Sequence, residues 1–153
     1  MNDLTKEEAL IGGMSIGMVL AFSAIWIILL IIAYWKIFTK AGKPGWHSII
    51  PILNIYDQYE ICWKGIYGIV LFLLGVVISL FNNFYQENPS STTYMAVSGI
   101  AALVFLVIYI IGLHKLSKAF GHGVGFTLGL VFFEPIFMLI LGFGSSRYIG
   151  KEQ

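Results

Sequence analysis

The chain has 153 residues, of which 58% are hydrophobic and 11% charged, with a net charge of +1. Soluble domains are about a quarter charged, so water is excluded as the solvent for most of this surface; a lipid interior asks only that each helix satisfy its own backbone. The near-zero balance gives no electrostatic case for a nucleic-acid partner, and a single cysteine, Cys62, excludes an intramolecular disulfide framework.

The opening residues, MNDLTKEEAL, are acidic, and the apolar run behind them is too long for a signal-peptide core, so no cleavable leader is expected. Thr5 and Glu8 have the spacing of a capping box, which predicts a helix start near Lys6. The first span is expected over Ala9–Trp35. At 1.5 Å per residue it extends roughly 40 Å against about 30 Å of hydrocarbon, so it tilts or protrudes. Gly13, Gly17 and Ala21 recur at four-residue spacing along one side of it. Such a track lets another helix approach closely, either within the bundle or from a second copy.

Gly42, Pro44 and Gly45 end this helix, and Pro51 suits the first turn of the next. The segment 44–64 mixes Asn54, Asp57, Gln58 and Glu60 with apolar positions, as a short helix at the membrane interface would. Trp46, Tyr56, Tyr59 and Trp63 are its expected interfacial anchors, with Phe84, Tyr85 and Tyr94 at the opposite face. Glu60 and Lys64 have i,i+4 spacing for an ion pair. Further spans are expected over Gly65–Phe81, Tyr94–Leu113 and Val124–Phe143. Gly121, Gly125 and Gly129 form a second small-residue track at the start of the last one. The expected fold is all-α: one membrane domain of four transmembrane helices with a short interfacial helix between the first and second.

Lys36, Lys40, Lys43, Lys64, Lys115 and Lys118 fall in one set of connections, and Lys6, Arg147 and Lys151 in the other. Six cations against three place loops 36–64 and 114–123 in the cytoplasm of a cell-membrane protein, with the amino terminus outside. The same count exposes a tension. If the fourth stretch turned back, Arg147 and Lys151 would join the first set, giving eight against one. Its length of 20 residues suits a crossing, and the expectation is that it crosses and leaves the carboxyl terminus outside.

Glu134 is the eleventh residue of that stretch and lies near the bilayer midplane. An acid there costs roughly 3 kcal/mol to insert, so it should face protein. Pro135 has no amide hydrogen, so the Val131 carbonyl loses its helical partner. An ionised carboxylate with that carbonyl would form a proton or cation site; a neutral acid would simply satisfy it. Elsewhere, Lys115, Lys118 and His122 precede a glycine-rich turn into a helix start, an arrangement that favours anionic lipid headgroups. His47, His114 and His122 have no close metal-ligand spacing, so no metal or other cofactor is expected. Ser117 and Lys118 are neighbours on different helix faces, which does not make a serine–lysine catalytic pair.

Four segments, KAGKPGW at Lys40–Trp46, IIPILNIY at Ile49–Tyr56, LSKAFGHGVGFTLGL at Leu116–Leu130 and PIFMLILGFGSSRYIG at Pro135–Gly150, together resemble a family of small, mostly bacterial, multi-pass membrane proteins of unknown function. The resemblance implies a four-helix membrane unit and no established activity. Some members carry a signal peptidase label, but this chain lacks the serine and lysine boxes of that enzyme. Members usually have an apolar residue before the proline, so Glu134 is a departure from the family pattern.

These readings lead to a non-enzymatic membrane subunit that contacts the lipid bilayer and works through helix packing, as a homo-oligomer or with a membrane-protein partner. A small oligomeric transporter or ion pathway using Glu134 is the alternative, and a membrane hydrolase a remote one.

Overall fold

The computed structural model describes the backbone of residues 3–87 and 92–151, and the side chains of 15–83 and 95–151. The side chains of Thr5, Glu8, Gly13, Phe84, Tyr85 and Tyr94 therefore lie outside the described residues. Five α-helices follow one another: α1 (Asp3–Lys40), α2 (Pro51–Cys62), α3 (Gly65–Glu87), α4 (Thr92–Ala119) and α5 (Val124–Phe143), with a 3-10 turn (Gly45–Ile49) ahead of α2. Four of them, α1, α3, α4 and α5, are long and apolar enough to cross a membrane, and α2 is the short helix expected between the first two. The fold is an all-α membrane bundle.

Local chemistry sets the ends. At the close of α1, Lys43 N–H bonds to Phe38 O at 2.8 Å and Gly42 N–H to Thr39 O at 3.1 Å, with Gly42 at φ 76°. At the close of α4, His122 N–H bonds to Ser117 O and Gly121 N–H to Lys118 O, both at 2.9 Å, with Gly121 at φ 77°. These paired bonds satisfy carbonyls that a helix end would otherwise leave open, and the left-handed backbone they need favours glycine. Gly121 thus serves the turn rather than a packing track. Pro51 occupies the first turn of α2, where its missing amide hydrogen costs nothing.

Several helices outrun their apolar stretches. α1 is already helical at Asp3, ahead of the expected start at Lys6, and reaches Lys40; α3 continues to Glu87 and α4 to Ala119. The hydropathy boundary marks where hydrocarbon ends, whereas a helix continues through the headgroup zone until something breaks it.

The fourth long helix departs from the expected straight crossing. Phe133 leaves helical geometry (φ −136°, ψ 45°), and the chain on either side folds back on itself. The rings of Phe126 and Phe137 lie 5.0 Å apart, although eleven residues of continuous helix would separate them by about 16 Å. Beyond α5, Ile149 N–H bonds to Ala119 O at 2.8 Å and Ser146 Oγ lies 2.8 Å from His122 Nε2. A straight α5 would end about 30 Å from its start, and the six residues from Gly144 to Ile149 would span at most about 21 Å on the way back. α5 is therefore a hairpin of two arms, 124–132 and 134–143. Pro135 deprives the ladder of an amide at the bend, and Gly129 has no side chain, so the Phe137 ring lies directly against its backbone. The carboxyl-terminal residues lie at the same end of the bundle as the 36–64 and 114–123 connections, not at the opposite end.

This hairpin determines where the core lies. Ile37 and Phe38 of α1, Ile61 and Cys62 of α2, Leu113, Leu116 and Phe120 of α4, and Leu130, Met138 and Leu141 of α5 form one buried cluster at the hairpin's end of the molecule. At the other end no described residue fills the space between α1 and the α3–α4 pair. Every residue from 15 to 29 is exposed, and the α1 backbone does not approach that of α3 or α4 among the described residues.

Gly142 makes the closest contact between α1 and the hairpin. A Cβ there would sit 2.7 Å from Ala33 O and 2.8 Å from Ala33 Cα, both backbone atoms that cannot yield. Gly142→Ala is expected to destabilise the protein by about 1–3 kcal/mol, read as a lower melting temperature in detergent. Gly17, with nothing within 4 Å of its Cβ position, should tolerate alanine without loss.

Candidate functional site

At the bend of α5, Glu134 is gripped from two sides. Tyr34 of α1 donates its hydroxyl to Oε1 at 3.4 Å, and Tyr109 of α4 donates to Oε2 at 2.5 Å. Tyr34 lies six residues, about 9 Å, inside the end of α1, and Tyr109 ten residues, about 15 Å, inside the end of α4. The carboxyl group is thus about 9–15 Å inside those helix ends, within the apolar part of the bundle but closer to the ends of the apolar stretches at Trp35 and Leu113 than to their middle. Irregular backbone at that depth persists only where protein or a cavity surrounds it, and the two tyrosines supply that polar company. Pro135 is exposed beside it and Val131 half-buried, so the three expected site residues share the bend.

Tyr59 of α2 is the third tyrosine near this carboxylate. It is 5% exposed and packs against Gly112 of α4, where a Cβ would fall 2.5 Å from its ring. Burial, followed by the neighbouring Cys62 and Glu134, pushes its hydroxyl pKa well above the ordinary value. By its sequence context Tyr59 belongs among the interfacial anchors; the absence of a side chain at Gly112 is what draws it inward. The other three anchors lie nearer the surface. Trp46 is exposed against His47, Tyr56 is half-buried under Gly65, and Trp63 stacks on Tyr67 at 3.7 Å.

The basic residues of the 114–123 region divide. Lys115 extends over the Trp63 ring at 5.6 Å, while Lys118 and His122 line a polar cavity together with Lys151. The second small-residue track also separates: Gly121 makes the turn, Gly125 has open space and Gly129 receives Phe137. On α1, Gly17 likewise meets nothing within the chain. The histidines stay apart. His47 pairs with the buried Asp57, which Lys43 also approaches at 3.4 Å; His114 bonds to Thr127, and His122 to Ser146. No group of three metal-ligating side chains exists among the described residues.

The carboxyl-terminal strap, 144–151, holds this end together. Tyr148 donates to Ile61 O at 2.7 Å, and the Lys151 ammonium meets Glu60 Oε1 at 2.6 Å. The expected Glu60–Lys64 pair does not form, because the backbone leaves helical geometry at Trp63 (φ −144°, ψ −112°) and turns Lys64 away. Gly65 N–H takes the other Glu60 oxygen at 2.8 Å.

The hydrogen bond from Lys151, then that from Gly65 N–H, holds the Glu60 carboxyl below its ordinary value. A depressed carboxyl adds stability above its unfolded pKa and loses it as pH falls through the folded value. The Ile149 amide, bonded to Ala119, should therefore resist hydrogen exchange near neutrality and lose protection as pH falls below the ordinary carboxylate range. In Lys151→Met the protection should already be reduced at neutral pH, with little further change on acidification.

No curated protein and no solved structure matches the chain. A family model matches residues 46–151, everything from the 3-10 turn to the end of the strap, with α1 and Tyr34 outside it. On that match, over more than half its length, the chain belongs to a family of unknown function, DUF5684.

Proposed function

We propose that this protein is a non-enzymatic membrane subunit that receives another transmembrane helix, from a second copy or from a different membrane protein, along the bare half of α1. The observation that carries the proposal is the exposure of every α1 residue from 15 to 29, coupled with open space at Gly17. Helices in lipid associate by close backbone approach, and a small-residue face that the chain itself leaves unfilled supports that use. Ser117, the serine beside a lysine, is fully buried and donates to Gly123 O at 3.0 Å, which argues for a structural role in the turn.

Oriented by its cations, the end bearing the connections and the strap faces the cytoplasm. With the hairpin path, eight basic residues gather there against Lys6 at the other end.

Cysteine cross-linking in native membranes tests the proposal. Burial pushes the Cys62 thiol up to about 12, so it stays silent as background. Gly17→Cys and Ala21→Cys should give a disulfide-linked dimer if the partner is a second copy, and Val19→Cys should not. For a different partner, a photoreactive residue at position 17 should yield one discrete heavier adduct. A monomer that cross-links to nothing from any α1 position would end the proposal.

A second reading, a protonatable site for ion or proton movement, is favoured by the two tyrosine donors on Glu134 at a broken helix. Liposomes loaded with a pH-sensitive dye should then show flux that Glu134→Gln abolishes. Equal flux from both proteins would remove Glu134 from any such pathway.

A further inference from the structure

A cleft of about 460 Å³ opens between α2, α3 and α4. Leu71, Phe72, Gly75 and Phe105 form its apolar walls, and Tyr59 and Tyr109 lie at one end. It follows α3 from Leu71 to Leu80, nine residues or about 14 Å of helix. Phe72 and Val76 are exposed along its rim, so in a bilayer it opens directly to lipid. Gly75 leaves a slot opposite Phe105, whose nearest atom is 3.9 Å from the Cβ position.

The two polar groups at the end differ. Tyr109 gives its hydroxyl proton to Glu134. The Tyr59 hydroxyl, on a side chain only 5% exposed, has no hydrogen-bond partner among the described residues. A hydroxyl that faces an apolar cleft without an acceptor is costly in a bilayer, because hydrocarbon offers no water to relieve it. The backbone carbonyls of a partner helix are already bonded within that helix and offer this hydroxyl no acceptor. A hydrocarbon chain matches the apolar lining, and the ester at its head carries a free carbonyl. The donor lies beside Gly112, one residue inside Leu113 where the apolar stretch of α4 ends, the depth at which the ester groups of a glycerophospholipid join their chains.

We propose that this cleft holds one acyl chain of a membrane glycerophospholipid, with an ester carbonyl accepting the Tyr59 hydroxyl. The chain lies in the slot at Gly75.

The test uses the full chain in liposomes containing a phospholipid with a diazirine on one acyl chain, with adducts mapped by mass spectrometry. Adducts should concentrate on Phe72, Val76 and Phe105 over Val19 and Phe22 of α1, although the latter two are the more exposed. Gly75→Leu fills the slot and should remove the cleft adducts while leaving those on α1 unchanged. Ser79→Trp, at an exposed position along the same cleft, serves the same purpose should the leucine variant not fold. Tyr59→Phe should weaken lipid retention through detergent washes about tenfold, the effect of one lost hydrogen bond. Adducts spread evenly over all lipid-facing helices, or undiminished in both blocking variants, would overturn the proposal. Stronger cleft labelling by a diazirine fatty acid than by the phospholipid would overturn the choice of an esterified chain.

Discussion

A reporter fused after Gln153 should read the same side of the membrane as one inserted in the 120–123 turn. A straight fourth crossing requires opposite sides, so the outcome is all or none. The expectation rests on contacts that a crossing helix cannot make: Ile149 with Ala119, Ser146 with His122, Tyr148 with Ile61 and Lys151 with Glu60. Together they bring the strap back to the end where α4 stops. Opposite readings from the two reporters would refute the hairpin, and with it the position of Glu134 between Tyr34 and Tyr109. A third reporter at the 88–91 connection should read the far side, which guards against a fusion protein that never inserts.

Lys40→Met should cost the protein about 2–4 kcal/mol, with much of its α1–α5 contact. The Lys40 ammonium donates to Leu141 O at 2.6 Å and to Gly144 O at 2.8 Å. Both carbonyls belong to the last turn of the hairpin's second arm, where a helix leaves acceptors unfilled and carries partial negative charge. A charge-assisted hydrogen bond contributes about 1.5–3 kcal/mol, and partial solvent access to the Gly144 bond lowers the sum. Methionine keeps the length and apolar stem of lysine, so the change isolates the ammonium. Thermal unfolding in detergent measures the loss, and Lys36→Met supplies the control, since Lys36 lies over the Phe143 ring without bonding a carbonyl. An equal effect from both substitutions would show that general charge, rather than the cap, does the holding.

The four long apolar helices, the short helix between the first two and its proline start were legible because each is a local matter of length, hydropathy and backbone restriction. The path of α5 was not. Twenty apolar residues have the same hydropathy whether they cross or double back, and what distinguishes the two here is a contact between Gly129 and Phe137, eight residues apart. Two signals do point to it. Pro135 marks the bend, and the cation count prefers a returning strap to a crossing. Length outweighs them when sequence is read alone, because each end of a 20-residue run looks like a membrane boundary.

Glu134 was legible as an anomaly, but its partners were not. Tyr34 and Tyr109 sit in apolar stretches where tyrosine reads as bulk, and only the packing of α1 and α4 around the hairpin turns both hydroxyls onto one carboxyl group. Tyr59 looks like its neighbours Tyr56 and Trp63, and nothing local distinguishes the ring that finds a glycine on another helix.

The half-depth hairpin also gives the molecule an uneven profile across the bilayer. Among the described residues, five helical rods (α1, α3, α4 and the two arms of α5) cut the leaflet at the strap end, and only α1, α3 and α4 cut the opposite one. With α2 packed at the same end, the protein is a wedge that displaces more lipid from one monolayer than from the other. In vesicles of graded diameter it would gather where the strap-side monolayer is the expanded one, so its own shape couples its distribution to membrane curvature.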